Sequence, residues 1–333
     1  MMNCRDYPSL LTREESGAIK GLLILLIVLG HTSLLMEPTG LFPYLYAFHV
    51  YCFYILPFIY GFRAAEPETP AFRVILRRSL HNFLRLYPLY FIWCMVGVLF
   101  SCFVKHQSPD ALPIIYAVIS GNQTLLARHC GFAFLWFLPT IVAVMFWRDL
   151  YFCLPRRGKC ILLVISLSLW LLAVMGITNF HHSGLFTPFA LAQGLYFSAS
   201  GIIARWILEH CRVSVKSRIR AVPLFLLVPV FIRFRGYLPF NYTWLSWLIP
   251  PTIAFVCIFQ YKGVLEKSRF LKLAGQYSLQ IYLLHVLIFN LFLKIDPWKN
   301  WITGAAIYVL TVALCFGTAM LMKRSPFKRL LFT

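Results

Sequence analysis

Ten stretches of this chain are apolar for long enough to leave water, and that pattern constrains the fold more than any other feature. They lie near residues 18–36, 41–62, 86–104, 132–147, 160–178, 185–207, 221–234, 243–261, 273–293 and 302–322. Most approach the roughly 20 residues that a helix needs to cross about 30 Å of hydrocarbon; the fourth and seventh are shorter. A backbone in lipid must satisfy its own polar groups, so stretches of this kind become helices. Charged residues make up only 13% of the chain, against about 25% in a soluble domain, and mean hydropathy is +0.74. The expected fold is an all-α integral membrane protein, a bundle of about ten transmembrane helices forming a single domain over residues 1–333. Two pieces outside the apolar stretches are longer than the others, an inner one at 63–85 and an outer one at 105–131.

The formal net charge of +20 raises nucleic acid as a partner, but its distribution argues against that reading. With the amino terminus placed in the cytoplasm, only Lys105, Arg128, Arg233, Arg235, Lys294 and Lys299 fall on the outer side, and the other 25 of the 31 basic residues fall inside. That asymmetry follows the positive-inside rule, so the basic excess is topology and the expected partner is the lipid bilayer. It also predicts both termini in the cytoplasm. The ten cysteines show no Cys-x-x-Cys pair and no ligand-like spacing, so neither a disulfide framework nor a metal site is expected. The first apolar run follows a polar start and lacks a small-residue cleavage site, which reads as an uncleaved span.

Ionisable groups inside such spans are rare and point to function. Lys20 and His31 lie eleven residues apart in the first run, about 16 Å of helical rise and close to three turns. Both side chains therefore leave the helix from nearly one face, lysine at the inner edge and histidine near mid-membrane. His49 lies about 12 Å down the second run from its outer end, and His285 about 18 Å up the ninth from its inner end. Three histidines on three helices thus reach comparable depth. A histidine here can also serve as a structural hydrogen bond between helices, and for His49 that reading is as good as the functional one. His181 and His182 read as a solvated pair. No Asp or Glu falls within the ten runs.

The inner approach to the third run carries Arg77, Arg78 and Arg85. Arg77 and Arg78 are well explained as topology anchors. Arg85 sits beside the apolar core, where a guanidinium needs a partner, and a phosphate-bearing ligand would suit its bidentate fork.

Taken in order, these pieces resemble the acyltransferase-3 family of membrane O-acyltransferases. Lys20-x10-His31 is similar to the family's first-helix signature of a basic residue, ten residues and a histidine. Ile55 to Phe62 (ILPFIYGF) resembles its second-helix stretch, and Arg85 to Tyr90 (RLYPLY) the start of its third. Leu135 to Leu138 (LWFL) resembles a further element, and Ser278-x3-Tyr282-Leu-x-His285 its late histidine motif. One departure stands out: where the family commonly has Arg-x-x-Arg before the third helix, this chain has Asn82-Phe-Leu-Arg85.

The resemblance implies transfer of an acyl group, most often acetyl from acetyl-CoA, to a hydroxyl of a carbohydrate such as a cell-surface polysaccharide or its lipid-linked precursor. It implies a bacterial cytoplasmic membrane, acyl-CoA as donor substrate, and no tightly bound cofactor. On that basis His31 is expected to be the general base, a role suited to an imidazole near neutral pH. His285, with Tyr282 a turn below it, is expected to orient His31 or to donate to the developing oxyanion. Lys20 and Arg85 are expected to hold the CoA phosphates, with Arg77 or Arg78 compensating for Asn82. A reading from another class is a transporter, or a flippase for lipid-linked sugars, using the intramembrane histidines; its marks would be repeated halves with broken helices or paired internal carboxylates.

Overall fold

The computed structural model describes residues 6–32, 42–63, 70–105, 108–175, 190–210, 213–234, 248–295 and 300–324. Within these, regular structure is helical. The helices are α1 Arg13–His31, α2 Phe42–Tyr46, α3 Tyr51–Ile59, α4 Ala71–Lys105, α5 Ala111–Ser120, α6 Gln123–His129, α7 Phe137–Cys153 and α8 Arg156–Val174. They continue with α9 Leu191–His210, α10 Val215–Phe234, α11 Ile249–Gln260, α12 Lys262–Leu265, α13 Arg269–Gln276, α14 Ser278–Ile295 and α15 Trp301–Arg324. Extended backbone pairs at an isolated bridge, Tyr7 with Phe62. A helix falls in each of the ten apolar stretches. Three segments are apolar and long enough to cross a membrane, Ala71–Phe103, Ala133–Cys153 and Trp301–Lys323, and several shorter apolar helices accompany them. The pair His181–His182 and the stretch 235–247 with Arg235 lie outside the described residues.

The chain divides into two compact units. One comprises residues 10–55, 204–237 and 246–333. Its first helix starts with a capping box: Glu15 N–H donates to Thr12 Oγ1 at 3.1 Å, and Thr12 N–H donates to the Glu15 carboxylate at 2.7 Å. Such a cap satisfies two backbone donors that a helix start otherwise leaves open. Lys262 then pairs with Glu15 at 3.2 Å and Lys272 with Glu14 at 2.7 Å. Gly21 on α1 and Gly275 on α13 let the two helices cross backbone to backbone. A methyl group on Gly21 would lie 1.9 Å from the Leu271 carbonyl oxygen, and one on Gly275 1.8 Å from that of Gly17. The crossing tolerates no side chain at either position.

The other unit comprises residues 1–9, 56–203 and 238–245, and it contains a departure from expectation. The outer piece 105–131 is not a loop over the bundle. Its α5 carries Leu112, Ile115, Tyr116 and Ile119 exposed along one stripe, at helical spacing, which suits lipid. Tyr90 donates through its hydroxyl to the Val118 carbonyl at 2.9 Å. Tyr90 lies fifteen residues before Lys105 on α4, about 22 Å of rise below it. So α5 runs back alongside α4, the chain turns at Gly121 (φ 64°), and Asn122 restarts it by accepting from the Thr124 and Leu125 N–H groups at 3.0 and 3.2 Å. Then α6 returns, and the Cys130 carbonyl oxygen meets α4 at Gly97, where a methyl group would sit 2.1 Å from it. The result is a re-entrant helical hairpin. Non-helical backbone at such depth is tolerated where protein covers it, and here Ser120 and Asn122 are buried.

Candidate active site

The late motif places His285 on α14, where it is fully buried. Its Nδ1 lies 2.6 Å from the Tyr282 carbonyl oxygen and 3.1 Å from that of Ile281. A carbonyl oxygen only accepts, so Nδ1 carries the proton, and Nε2 of the neutral ring carries the lone pair. His49, in the turn between α2 and α3, is fully buried too. It donates through Nδ1 to the Leu45 carbonyl, which fixes the same tautomer. Its Nε2 is buried without a hydrogen-bond partner among the described residues. An orphaned buried polar atom costs about 1–3 kcal/mol and calls for a functional explanation. Gly30 leaves this nitrogen its space, since a methyl group there would lie 3.1 Å from it.

His31 is the last residue of α1. It does not sit partway along a helix that continues to residue 36, as the apolar run suggested; α1 ends at His31 and is closed by Thr32, whose hydroxyl donates to the Val28 carbonyl at 3.0 Å. The His31 ring centroid is 5.1 Å from that of His285. Its Nδ1 lies 3.1 Å from the Tyr46 hydroxyl, and the Tyr46 ring meets His49 edge-on with centroids 4.9 Å apart. The Tyr282 ring lies 5.9 Å from His285. The structure therefore brings His31, His49, Tyr282 and His285 together in one unit and adds Tyr46. Each of the three imidazoles is engaged through Nδ1, and each presents Nε2 on its other side.

Lys20 is half-buried on α1, three turns before His31 as the spacing required. The three arginines lie on α4. Arg77 and Arg85 are exposed, and neither forms an ion pair with a described carboxylate. Arg78 is committed elsewhere. Its guanidinium lies over the Phe62 ring at 4.1 Å, donates to the Arg63 carbonyl, and stands 3.8 Å from Asp149. Asp149 is fully buried and accepts from Arg148 at 2.5 and 2.9 Å. The expectation that no carboxylate lies within a span is thus corrected. The apolar run stops at 147, but α7 continues to Cys153 because Arg148 and Arg78 neutralise the acid that follows. Cys153 is disulfide-bonded, so the chain is not free of cross-links as its cysteine spacing suggested.

Sequence reasoning missed Tyr46 and Asp149. The second could have been found by extending the fourth run one turn past its apolar end. The first had no signal, because tyrosine is common in a chain of this composition.

A family model described as "Acyltransferase domain", of the acyltransferase-3 type, matches residues 15–320. No curated protein and no solved structure matches the chain.

Proposed function

The chain belongs to the acyltransferase-3 family and is an integral membrane acyltransferase; from that premise we propose that it moves an acyl group, acetyl in the first instance, from acyl-CoA to a hydroxyl of a carbohydrate. A thioester is already activated, whereas a sugar hydroxyl is a weak nucleophile at neutral pH, so the missing component is a positioned base. The observation that carries the reading is the set of three imidazoles engaged through Nδ1.

In this reading His31 donates its Nδ1 proton to the Tyr46 oxygen and uses the Nε2 lone pair on the acceptor hydroxyl. As the hydroxyl proton passes to Nε2, the sugar oxygen bonds to the thioester carbonyl carbon. Collapse of the tetrahedral intermediate breaks the carbon–sulfur bond, and the imidazolium returns the proton to the departing CoA thiolate. Tyr46 thus plays the part of the third group that orients a base. His285 holds its proton on Nδ1, so in this tautomer Nε2 has no N–H to offer an oxyanion and can only accept. Tyr282 positions it through its backbone carbonyl. For the donor's phosphates the candidates are Lys20 on α1 and, on α4, Arg85 with Arg77. Because Arg78 is held by Asp149, Arg77 is the better substitute for the arginine missing at Asn82. The membrane is proposed to be the bacterial cytoplasmic membrane, with the basic ends of the helices inside.

The test is to incubate the purified protein with radiolabelled acetyl-CoA and cell-envelope carbohydrate. Label transferred to the carbohydrate, together with saturable CoA binding, supports the proposal. Passage of a sugar across vesicles without any dependence on CoA would favour a transporter instead.

A further inference from the structure

One stripe of α4 holds the re-entrant hairpin, and two cysteines meet on it. Tyr90, Cys94, Gly97 and Ser101 stand at helical spacing along a single face. Tyr90 donates to the Val118 carbonyl at 2.9 Å. Gly97 receives the Cys130 carbonyl oxygen, which a methyl group there would meet at 2.1 Å, and Ser101 receives the backbone of Gly131. Between these contacts, one turn before Gly97, Cys94 meets the Cys130 side chain, and the two thiols hydrogen-bond each other. Both are free thiols and 0% exposed. Cys52, also buried, differs from them: its thiol donates to the Pro251 carbonyl at 3.6 Å.

A disulfide needs Cα atoms within about 7 Å and Cβ atoms that face each other. Cys130 closes α6, its N–H donating to the Leu126 carbonyl at 2.9 Å, so the helix end delivers its side chain to α4 at a fixed place. Its carbonyl abuts α4 one turn from Cys94 and its thiol already reaches the partner thiol, which is the placement a disulfide requires. We propose that Cys94 and Cys130 form a modification site, joined by a disulfide that staples the re-entrant hairpin to α4. In the orientation the basic residues indicate, residues 105–131 lie on the outer side, the compartment in which bacterial disulfides form. The oxidant is a protein disulfide donor of that compartment. While the hairpin is undocked, one thiolate of the pair attacks the donor's disulfide and forms a mixed disulfide; the second thiolate then displaces the donor's sulfur. The pair gives up two protons and two electrons, and the donor leaves as its dithiol. The bond closes residues 94–130 into one ring, which restricts the states in which the hairpin has left α4.

The test reads every thiol of the full chain. Cells are quenched with N-ethylmaleimide before lysis. The chain is then unfolded in dodecyl sulfate with excess reagent, reduced, treated with an isotopically heavy maleimide and followed by peptide mass spectrometry. Cys94 and Cys130 are expected to carry the heavy reagent in most chains, while Cys52 and the exposed Cys160 carry the light one. Without the reduction step, a cross-linked peptide pair joining residues 94 and 130 is expected. Cys130→Ser should move Cys94 to the light reagent, and should speed amide hydrogen exchange across 111–130 severalfold while leaving α1 unchanged. The proposal is overturned if both thiols carry the light reagent in most wild-type chains, if Cys94 is joined to another cysteine such as Cys102, if Cys94 stays heavy in Cys130→Ser, or if exchange across the hairpin does not change. The labelling result comes from the wild type, so it stands even where the variant fails to fold. None of these outcomes depends on acyl transfer, so failure here leaves the histidine site untouched.

Discussion

Replacing Tyr46 with phenylalanine removes one oxygen and leaves the ring. The packing therefore survives, with the edge contacts to His31 at 5.8 Å and to His49 at 4.9 Å, and the 3.1 Å hydrogen bond to His31 Nδ1 is lost. If Tyr46 holds the proton on Nδ1, its loss leaves a partly buried N–H without an acceptor and frees the ring to adopt the other tautomer. An unmet hydrogen bond of this kind costs about 1–3 kcal/mol. When the bond matters in the transition state, that corresponds to a fall in kcat of roughly 5- to 150-fold. The KM for acyl-CoA should stay near the wild-type value, because Tyr46 is not among the cationic side chains proposed for the phosphates. Steady-state transfer of radiolabelled acetyl by the detergent-purified variant measures both constants, with thermal unfolding as the control for fold. Wild-type kcat in the phenylalanine variant, or a change confined to KM, would refute the orienting role.

Other consequences can be checked alongside. Asp149→Ala leaves Arg148, 14% exposed, beside a vacated counter-charge; breaking a buried pair in this way costs about 3–5 kcal/mol, and a melting temperature equal to wild type would contradict the role assigned to the acid. Gly275→Ala would place a methyl group 1.8 Å from the Gly17 carbonyl oxygen, so the α1–α13 crossing must open, with a loss of at least the ~1–3 kcal/mol typical of overpacking in denaturant titrations. The hydrogen bond and positive charge of Lys272 hold the Glu14 carboxyl below its ordinary range. A depressed folded value means that its contribution is present above the ordinary carboxylate range and is lost as pH falls through the folded value; Lys272→Met should remove this acid-side loss from the melting-temperature profile.

The helical, membrane-embedded character of the chain was legible because it rests on composition and run length, which no tertiary contact can reverse. His31, His49 and His285 were found for a related reason: an imidazole in an apolar run violates the local pattern, and helical rise fixes its depth. Tyr46 was invisible because tyrosine is common in such a chain and because its contact with His31 joins two helices that sequence spacing does not relate. Asp149 escaped for a different reason. Hydropathy ends a span at the first charged pair, whereas the helix continues when arginines on it and on α4 neutralise the acid. The hairpin 111–131 was read as an outer loop because α5 is only ten residues long, too short to register as a span, and its depth is set by contacts with Tyr90 and Gly97 that sequence spacing does not encode.

The central claim is that His31 is the base. The most direct measurement is the rate of acetyl transfer from radiolabelled acetyl-CoA by His31→Ala, compared with wild type, together with CoA binding and thermal unfolding of the same preparations. The account predicts that transfer falls by the roughly 10²–10⁴-fold that a general base contributes, while the variant still binds CoA and melts near the wild-type temperature. Transfer at the wild-type rate by the folded variant would contradict it.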